Sequence, residues 1–415
     1  MANDNRSGDP AQSKSNVRLK VMDRPVRING AATGPGQLNK ARGVFRKWFG
    51  DDYDMAVLDS TVAVGAGEQL QGDPAWLMHL GPPGAGKTET ISNLIVMHCA
   101  GAPVIAASNI SSSGSFLSAT KASEKKSKPT GGILKEIGDR GILLIKDFTS
   151  VMSLGGDKRA EVIAALREIA DGSWVRKPGN EGGQSIPWHG RLVIVAACTP
   201  ASWDKAHTVI AEMGPRFLTL RSTPRDRSSV ARRAMANLGD EVEMRAELRA
   251  AFRDVLSNVD RELAVLTLED ERQLIEAADF VATARTPISR DYKGIVTDIP
   301  SPEVPTRIVK QLAQVVRGGL AIGMPKPEAM ALSLRIAHDC IPPIRTKIIA
   351  DLLSHDRVSN VNRTKGRLNL PYSTVNREFE AMRMLGLILE AQDYHMLDPS
   401  IDGAIKLLFS YVEAS

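Results

Sequence analysis

The sequence predicts an α/β fold built on a largely parallel sheet, and three observations carry the prediction. Short apolar runs recur at Ala75 to Leu80, Pro103 to Ala107, Gly141 to Ile145, Arg191 to Ala197 and Phe217 to Leu220. Helix-periodic stretches such as Thr88 to Cys99 and Lys158 to Ala170 separate them, as crossovers between parallel strands require. The composition, 43% hydrophobic and 24% charged over 415 residues, is that of a globular chain with room for roughly three domains.

The same composition excludes other classes. No apolar run approaches the ~18 residues that a membrane-spanning helix needs, and the start of the chain has no apolar stretch of the kind found in secretory signals, so a cytoplasmic location is expected. Cys99, Cys198 and Cys340 are widely spaced and odd in number, which points to neither a disulfide framework nor a Cys-pair zinc site. Net charge is +5, and before residue 50 ten basic residues face three acidic ones, so the excess is concentrated at the amino terminus.

Residues 1 to 36 are rich in Gly, Pro, Ser and Asn without periodicity and read as a mobile basic arm. Helices are expected over Gln37 to Phe49 and Asp54 to Leu70, before the strand that ends at Leu80. Gly81, Pro82, Pro83, Gly84, Ala85, Gly86, Lys87 and Thr88 follow directly and fit G-x-x-x-x-G-K-[ST] between a strand and a helix. Glycines let the backbone N–H groups curl around phosphate oxygens, and the positive end of the next helix points at the same anion. Lys87 is expected to reach the β and γ phosphates of ATP and Thr88 to offer its hydroxyl to Mg2+, with Glu89 in the same nucleotide-binding segment. Further on, Asp157 is expected to cap a helix carrying Val162, Ile163, Leu166 and Ile169 on one face.

With that loop placed, the chain from about residue 54 to 320 resembles the AAA+ ATPases, in particular the branch of minichromosome-maintenance helicases, MoxR-type ATPases and sigma-54 activators. In those families the third strand ends in Asp-Glu-Phe, the Asp supporting Mg2+ and the Glu polarising water. Here the frame reads Lys146-Asp147-Phe148, so a cation stands in the metal-supporting place and the resemblance leaves Asp147 alone to orient water or metal. Two short alternating runs, Gly172 to Lys177 and Gln184 to Trp188, read as a β-hairpin, a mark of that branch. By analogy Arg176 and Lys177 near its tip contact DNA phosphates. Thr199 occupies the place of the family's polar sensor residue. Arg216 stands where an arginine finger enters the neighbouring subunit's site, which implies a ring-forming homo-oligomer. Arg307, in the first turn of a helix starting near Pro305, resembles the lid arginine that senses nucleotide from within the same subunit.

The pattern, which becomes helical from Ser228 and breaks at Ile341-Pro342-Pro343, divides the chain into a core at 37–226, a helical lid at 227–340 and a third domain at 341–415. In the last, a helix over Ile344 to Leu353, a short segment over Asn362 to Leu370, a helix from Pro371 to Leu385 and a two-stranded turn over Leu387 to Leu397 resemble the winged helix of MarR-like and ArsR-like regulators. That order implies that Tyr372, Ser373, Thr374, Asn376 and Arg377 face the DNA major groove. The expectation is an oligomeric AAA+ protein that binds and hydrolyses ATP and acts on DNA by remodelling, loading or unwinding it. Two rivals remain beside it, an ATP-gated winged-helix transcriptional regulator with slow hydrolysis and a MoxR-like chaperone that remodels proteins.

Overall fold

A computed structural model describes residues 35–117, 131–177, 185–204 and 216–410. The expected basic arm, but for its last two residues, lies outside the described residues, as do the hairpin tip and the segment just before Arg216.

Helix α1 (Pro35–Phe49) buries Leu38, Ala41, Phe45 and Trp48, spaced three and four apart as one helix face requires. Two of its four cations pair with acids elsewhere in the fold: Arg42 with Asp59 and Glu328 at 2.9 and 2.8 Å, and Lys47 with Glu247 at 2.7 Å. Helix α2 (Met55–Glu68) starts where Asp54 accepts from the Ala56 N–H, and apart from Asp59, Ser60, Thr61 and Glu68 its residues are apolar and mostly small, so it is buried over most of its length.

The chain then builds β1 (Trp76–Leu80), α3 (Lys87–Ser92), β2 (Val104–Ala107), α4 (Ile133–Ile137), β3 (Arg140–Ile145), α5 (Thr149–Met152) and α6 (Gly156–Ala170). A hairpin of β4 (Ser173–Arg176) and β5 (Ile186–His189) follows, and then β6 (Arg191–Cys198) and β7 (Leu218–Arg221). Five strands form one sheet in the order β2-β3-β6-β1-β7, and every neighbouring pair is parallel. Both faces are buried: Leu77, Ile142, Leu144 and Val193 join the core that α1 and α2 share, while Met78, Leu143, Ile145 and Ile194 pack on the side of α6 and the hairpin.

Local chemistry explains two departures from expectation. The helix expected over Thr88 to Cys99 ends as α3 at Ser92 and continues in tighter 3-10 turns over Asn93–Ala100, where the Asn93 amide donates to the Glu89 carbonyl at 2.7 Å. Asp157 does not cap α6: the cap position is Gly155, and Asp157 lies in the first turn, where its charge still favours the helix dipole. The expected face of α6 is otherwise present, with Val162, Leu166 and Ile169 buried and Ile163 partly so. The hairpin pairs Trp174 with Trp188, whose indole N–H donates to the Gly138 carbonyl at 2.6 Å.

Beyond the sheet come α7 (Arg227–Ala236), α8 (Glu241–Leu256), α9 (Leu268–Ala284), a short hairpin of β8 (Ser289–Arg290) and β9 (Val296–Asp298), α10 (Thr306–Ala321) and α11 (Lys326–Asp339). The last part is α12 (Pro343–Leu353), β10 (Val358–Ser359), α13 (Val361–Leu368), α14 (Tyr372–Met384), β11 (Ile388–Ala391), β12 (Tyr394–Leu397) and α15 (Asp402–Phe409), its strands ordered β10-β12-β11 and antiparallel. Helix α10 crosses α2 at backbone contact, since a Cβ on Gly318 would lie 2.0 Å from the Ala63 carbonyl oxygen. Phe252, Leu274, Val315, Ile336, Ile348 and Phe379 belong to the same buried cluster as Leu38 and Leu77. The expected borders at 226/227 and 340/341 therefore mark no break in the packing. Among the described residues no helix is long and apolar enough to cross a membrane.

Candidate nucleotide site

The Gly81–Thr88 loop leaves β1 at the carboxyl end of the sheet, where β1 lies between β6 and β7. Connections diverge from such a point and leave a crevice, the usual ligand position in open α/β sheets. Gly84 and Gly86 have φ of +79 and +74°, a conformation that side chains resist. Gly81 is confined for another reason: a Cβ there would lie 2.8 Å from Ser222 Oγ and 2.9 Å from its carbonyl oxygen.

Lys87 is buried, and its Nζ donates to the carbonyls of Gly81 and Pro82, each at 2.7 Å. Burial lowers its pKa, while the Cys198 thiol and the Asp147 carboxylate act in the opposite direction. The end of β3 and the end of β6 thus bear electrostatically on the loop lysine. Thr88 is exposed, and nothing lies within 4 Å of the Cβ position of Gly84. Left-handed glycines, a lysine held over the loop and an exposed hydroxyl at the start of α3 fit a polyphosphate with Mg2+. Glu89 turns elsewhere, to Arg245 of α8 at 3.1 Å.

Asp147 is exposed, and its Oδ1 accepts from the Thr149 N–H at 2.9 Å, which starts α5. Thr149 Oγ1 in turn lies 3.6 Å from Cys198 Sγ, tying the ends of β3 and β6 together. Burial pushes the Cys198 thiol up, and it and Cys340 are free. Thr199 is half-buried and donates its hydroxyl to Ser202 Oγ at 3.0 Å, so it is engaged in the turn that follows β6.

Arg216 and Arg307 lie at the other end of the sheet. Gln311, one turn beyond Arg307, accepts from the Trp76 N–H at 3.2 Å and donates to the Arg216 carbonyl at 2.9 Å, and Trp76 begins β1. The length of β1, roughly 13 Å, separates them from Gly81. The expectation that Arg307 senses nucleotide within its own subunit is therefore corrected: in one chain it does not meet Lys87. It faces Arg216 instead, whose pKa is lowered by burial first and by the Arg307 cation second. Arg216 pairs with Asp171 at 3.4 Å and Arg307 with Glu303 at 3.4 Å, beside a cleft of about 460 Å³ lined by Asp73, Asp171, Arg191, Arg307 and Lys310.

Besides Arg245, the helical part brings Arg335 of α11 to the phosphate-loop end, and no motif singles it out. It donates to Asp54 at 2.8 Å and to the Arg221 carbonyl at 3.2 Å, where Ser222 meets the end of β1 through a 2.8 Å bond to the Leu80 carbonyl.

The expected nucleic-acid contacts divide. Arg176 is half-buried, donates to the Leu117 carbonyl and packs against Gly114, so its guanidinium is already engaged, contrary to expectation. Lys177 is exposed where the chain leaves β4. On α14, Val375, Phe379 and Met382 face the core, which leaves Tyr372, Ser373, Asn376 and Arg377 exposed and Thr374 half-buried. Compared with known protein families and with curated proteins, the chain matches none.

Proposed function

We propose that the chain is an AAA+ ATPase that binds Mg-ATP at Gly81 to Thr88, works as a homo-oligomer and acts on DNA through its carboxy-terminal helices. One observation carries the nucleotide part: a G-x-x-x-x-G-K-T loop at the reversal of strand order, with Gly84 and Gly86 left-handed and Lys87 buried over the loop carbonyls. The placing of β6 between β1 and β3, which sets Asp147 beside the loop and one strand removed, supports the same reading.

In this reading Lys87 binds the β and γ phosphates and Thr88 gives its hydroxyl to Mg2+. Bound Mg-ATP supplies the γ-phosphoryl group that is transferred to water. Asp147 accepts a hydrogen bond from that water and orients it, while the Lys146 cation disfavours a metal ion on its own side, so turnover is expected to be slow. Arg216 and Arg307, remote from their own loop, serve a neighbouring subunit's site and stabilise charge on the transferred group. A head-to-tail contact of that kind repeats into a closed ring where its rotation closes.

The DNA part rests on the exposed residues of α14 and on helices α12 to α14 with the β10-β12-β11 sheet, an arrangement that resembles a winged helix. Steady-state Mg-ATP turnover of the intact chain, with and without DNA and beside Lys87→Ala, tests the whole. Turnover that DNA raises and Lys87→Ala abolishes supports it. Tight ATP binding without turnover in either condition removes the motor and leaves the ATP-gated regulator, the reading that Lys146-Asp147 favours. Turnover without any affinity for DNA leaves the protein-remodelling chaperone.

A further inference from the structure

Among the described residues no large apolar side chain is more exposed than Tyr292, at 91%. It stands in the turn between β8 and β9, which Asp291 closes by accepting from the Lys293 and Ile295 N–H groups at 2.9 and 2.8 Å. The turn is seated on α14. Arg290 donates to Glu380 at 2.7 Å and to the Arg377 carbonyl at 3.1 Å, and a Cβ on Gly294, whose φ is +84°, would fall 2.7 Å from an Arg377 guanidinium nitrogen. Tyr292 and Lys293 therefore project beside the exposed side of α14.

Three of the four acids on the hairpin and α14 are taken by partners within the fold, and the fourth, Asp298 on β9, is exposed. Arg290 takes Glu380, Arg345 takes Glu378 and the turn itself takes Asp291, whereas Lys293 and Arg377 form no ion pair among the described residues. A cation beside an exposed tyrosine also recurs on these elements. Lys293 lies 5.5 Å from the Tyr292 ring, Lys365 lies 5.7 Å from Tyr372 and Arg363 lies 5.4 Å from Tyr394.

We propose that the β8–β9 turn is a second nucleic-acid contact adjoining α14, in which Tyr292 stacks on an unpaired base while Lys293 and Arg377 hold flanking phosphates. The inference rests on the reading of α14 as a DNA-facing helix. A ring on a protruding turn cannot reach a base face inside a stacked duplex, so the ligand is DNA in which a single-stranded segment adjoins a duplex. Ile295 and Ile299, exposed on either side of β9, are what a protein partner would cover, but two cations without an ion pair, Lys293 and Arg377, against one exposed acid, Asp298, favour a polyanion.

Fluorescence anisotropy of the full chain with a blunt DNA duplex, and with the same duplex carrying a single-stranded overhang, tests this. In Tyr292→Ala/Lys293→Ala the affinity for the overhang substrate falls about tenfold or more, and that for the blunt duplex changes less than about threefold. Lys293→Ala alone lowers the slope of log affinity against log salt by about one, an effect that a merely structural role would not produce. Both substitutions lie on an exposed turn, and an unchanged melting temperature shows that the fold is kept. Equal overhang affinity in variant and unaltered protein overturns the proposal. So does tighter binding by the variant, which would make the turn a shield over α14. If the unaltered chain binds neither DNA, the DNA reading itself fails and takes the inference with it.

Discussion

Arg345 on α12 donates to Glu378 on α14 at 2.9 Å while its side chain is almost wholly buried. The same guanidinium donates to the carbonyls of Ala284 and Thr286, each at 2.8 Å, where α9 ends. One buried cation thus serves both the carboxyl end of α9 and α14, the helix expected to face DNA.

Removing Arg345 strands a carboxylate and two carbonyl oxygens at once. Arg345→Met is expected to lose about 3–5 kcal/mol of stability, read from the urea midpoint, and Arg345→Lys to recover only part because an ammonium cannot reproduce the planar fork. A loss near zero would mean that the contact between α12 and α14 does not depend on this arginine.

Mg-ATP is expected to raise the melting temperature of the unaltered chain, by the equivalent of about 2.7 kcal/mol at a hundred times Kd. Gly81→Ala removes the rise, because the new methyl would lie 2.8 Å from Ser222 Oγ and 2.9 Å from its carbonyl oxygen and the loop must shift. Lys87→Ala removes it by loss of the charge. Differential scanning fluorimetry of the three proteins decides, and a full rise in either variant would place the nucleotide elsewhere.

Arg216 lies across the sheet from its own phosphate loop, so its effect is expected to be intermolecular. Arg216→Ala and Lys87→Ala are each inactive alone, the former by about a thousandfold or more. Mixed, they regain part of the turnover, because some contacts join an intact Lys87 to an intact neighbouring Arg216. Absence of recovery over a titration of the two would argue that Arg216 acts within its own subunit or not at all.

His79 on β1 is fully buried, with Nε2 3.0 Å from Thr61 Oγ1 and no partner for Nδ1. Burial lowers its pKa from 6.5 to about 3, with the Asp54 carboxylate opposing and the Lys87 cation reinforcing the shift. The folded chain keeps the ring neutral across that interval while the unfolded chain takes up a proton. The contribution is therefore intact above the unfolded value and is lost as pH falls through it toward the folded value. Urea midpoints between pH ~7.5 and ~4 should fall with pH, and less steeply in His79→Gln; equal slopes would remove His79 from the account.

The parallel sheet was legible because its strands are continuous apolar runs, buried on both faces, and the Gly81 to Thr88 loop because its spacing is rigid. The residues that close the site were less so. Arg307 and Arg335 are both arginines on apolar-faced helices, and nothing local to either reveals which end of the sheet its helix reaches; the Gln311 and Asp54 contacts decide that through partners some 235 and 281 positions away. Arg176 reads as a tip cation until the Leu117 carbonyl takes it. The β8–β9 turn leaves no mark in the sequence because strands of two and three residues carry no periodicity.

The meeting of Gly318 with the Ala63 carbonyl leaves no side-chain layer between α10 and α2 at their crossing. A pivot of α10 about that point would use the crossing as a fulcrum. Arg307 stands eleven positions away on α10, a lever arm of roughly 16 Å, and a tilt of about 10° there carries its guanidinium by roughly 3 Å. That is the distance between touching a phosphate and missing it. Gly318→Ala would set a methyl 2.0 Å from the Ala63 carbonyl oxygen, so α10 and α2 must part at the crossing, and in the proposed oligomer that shift would pass along α10 to Arg307.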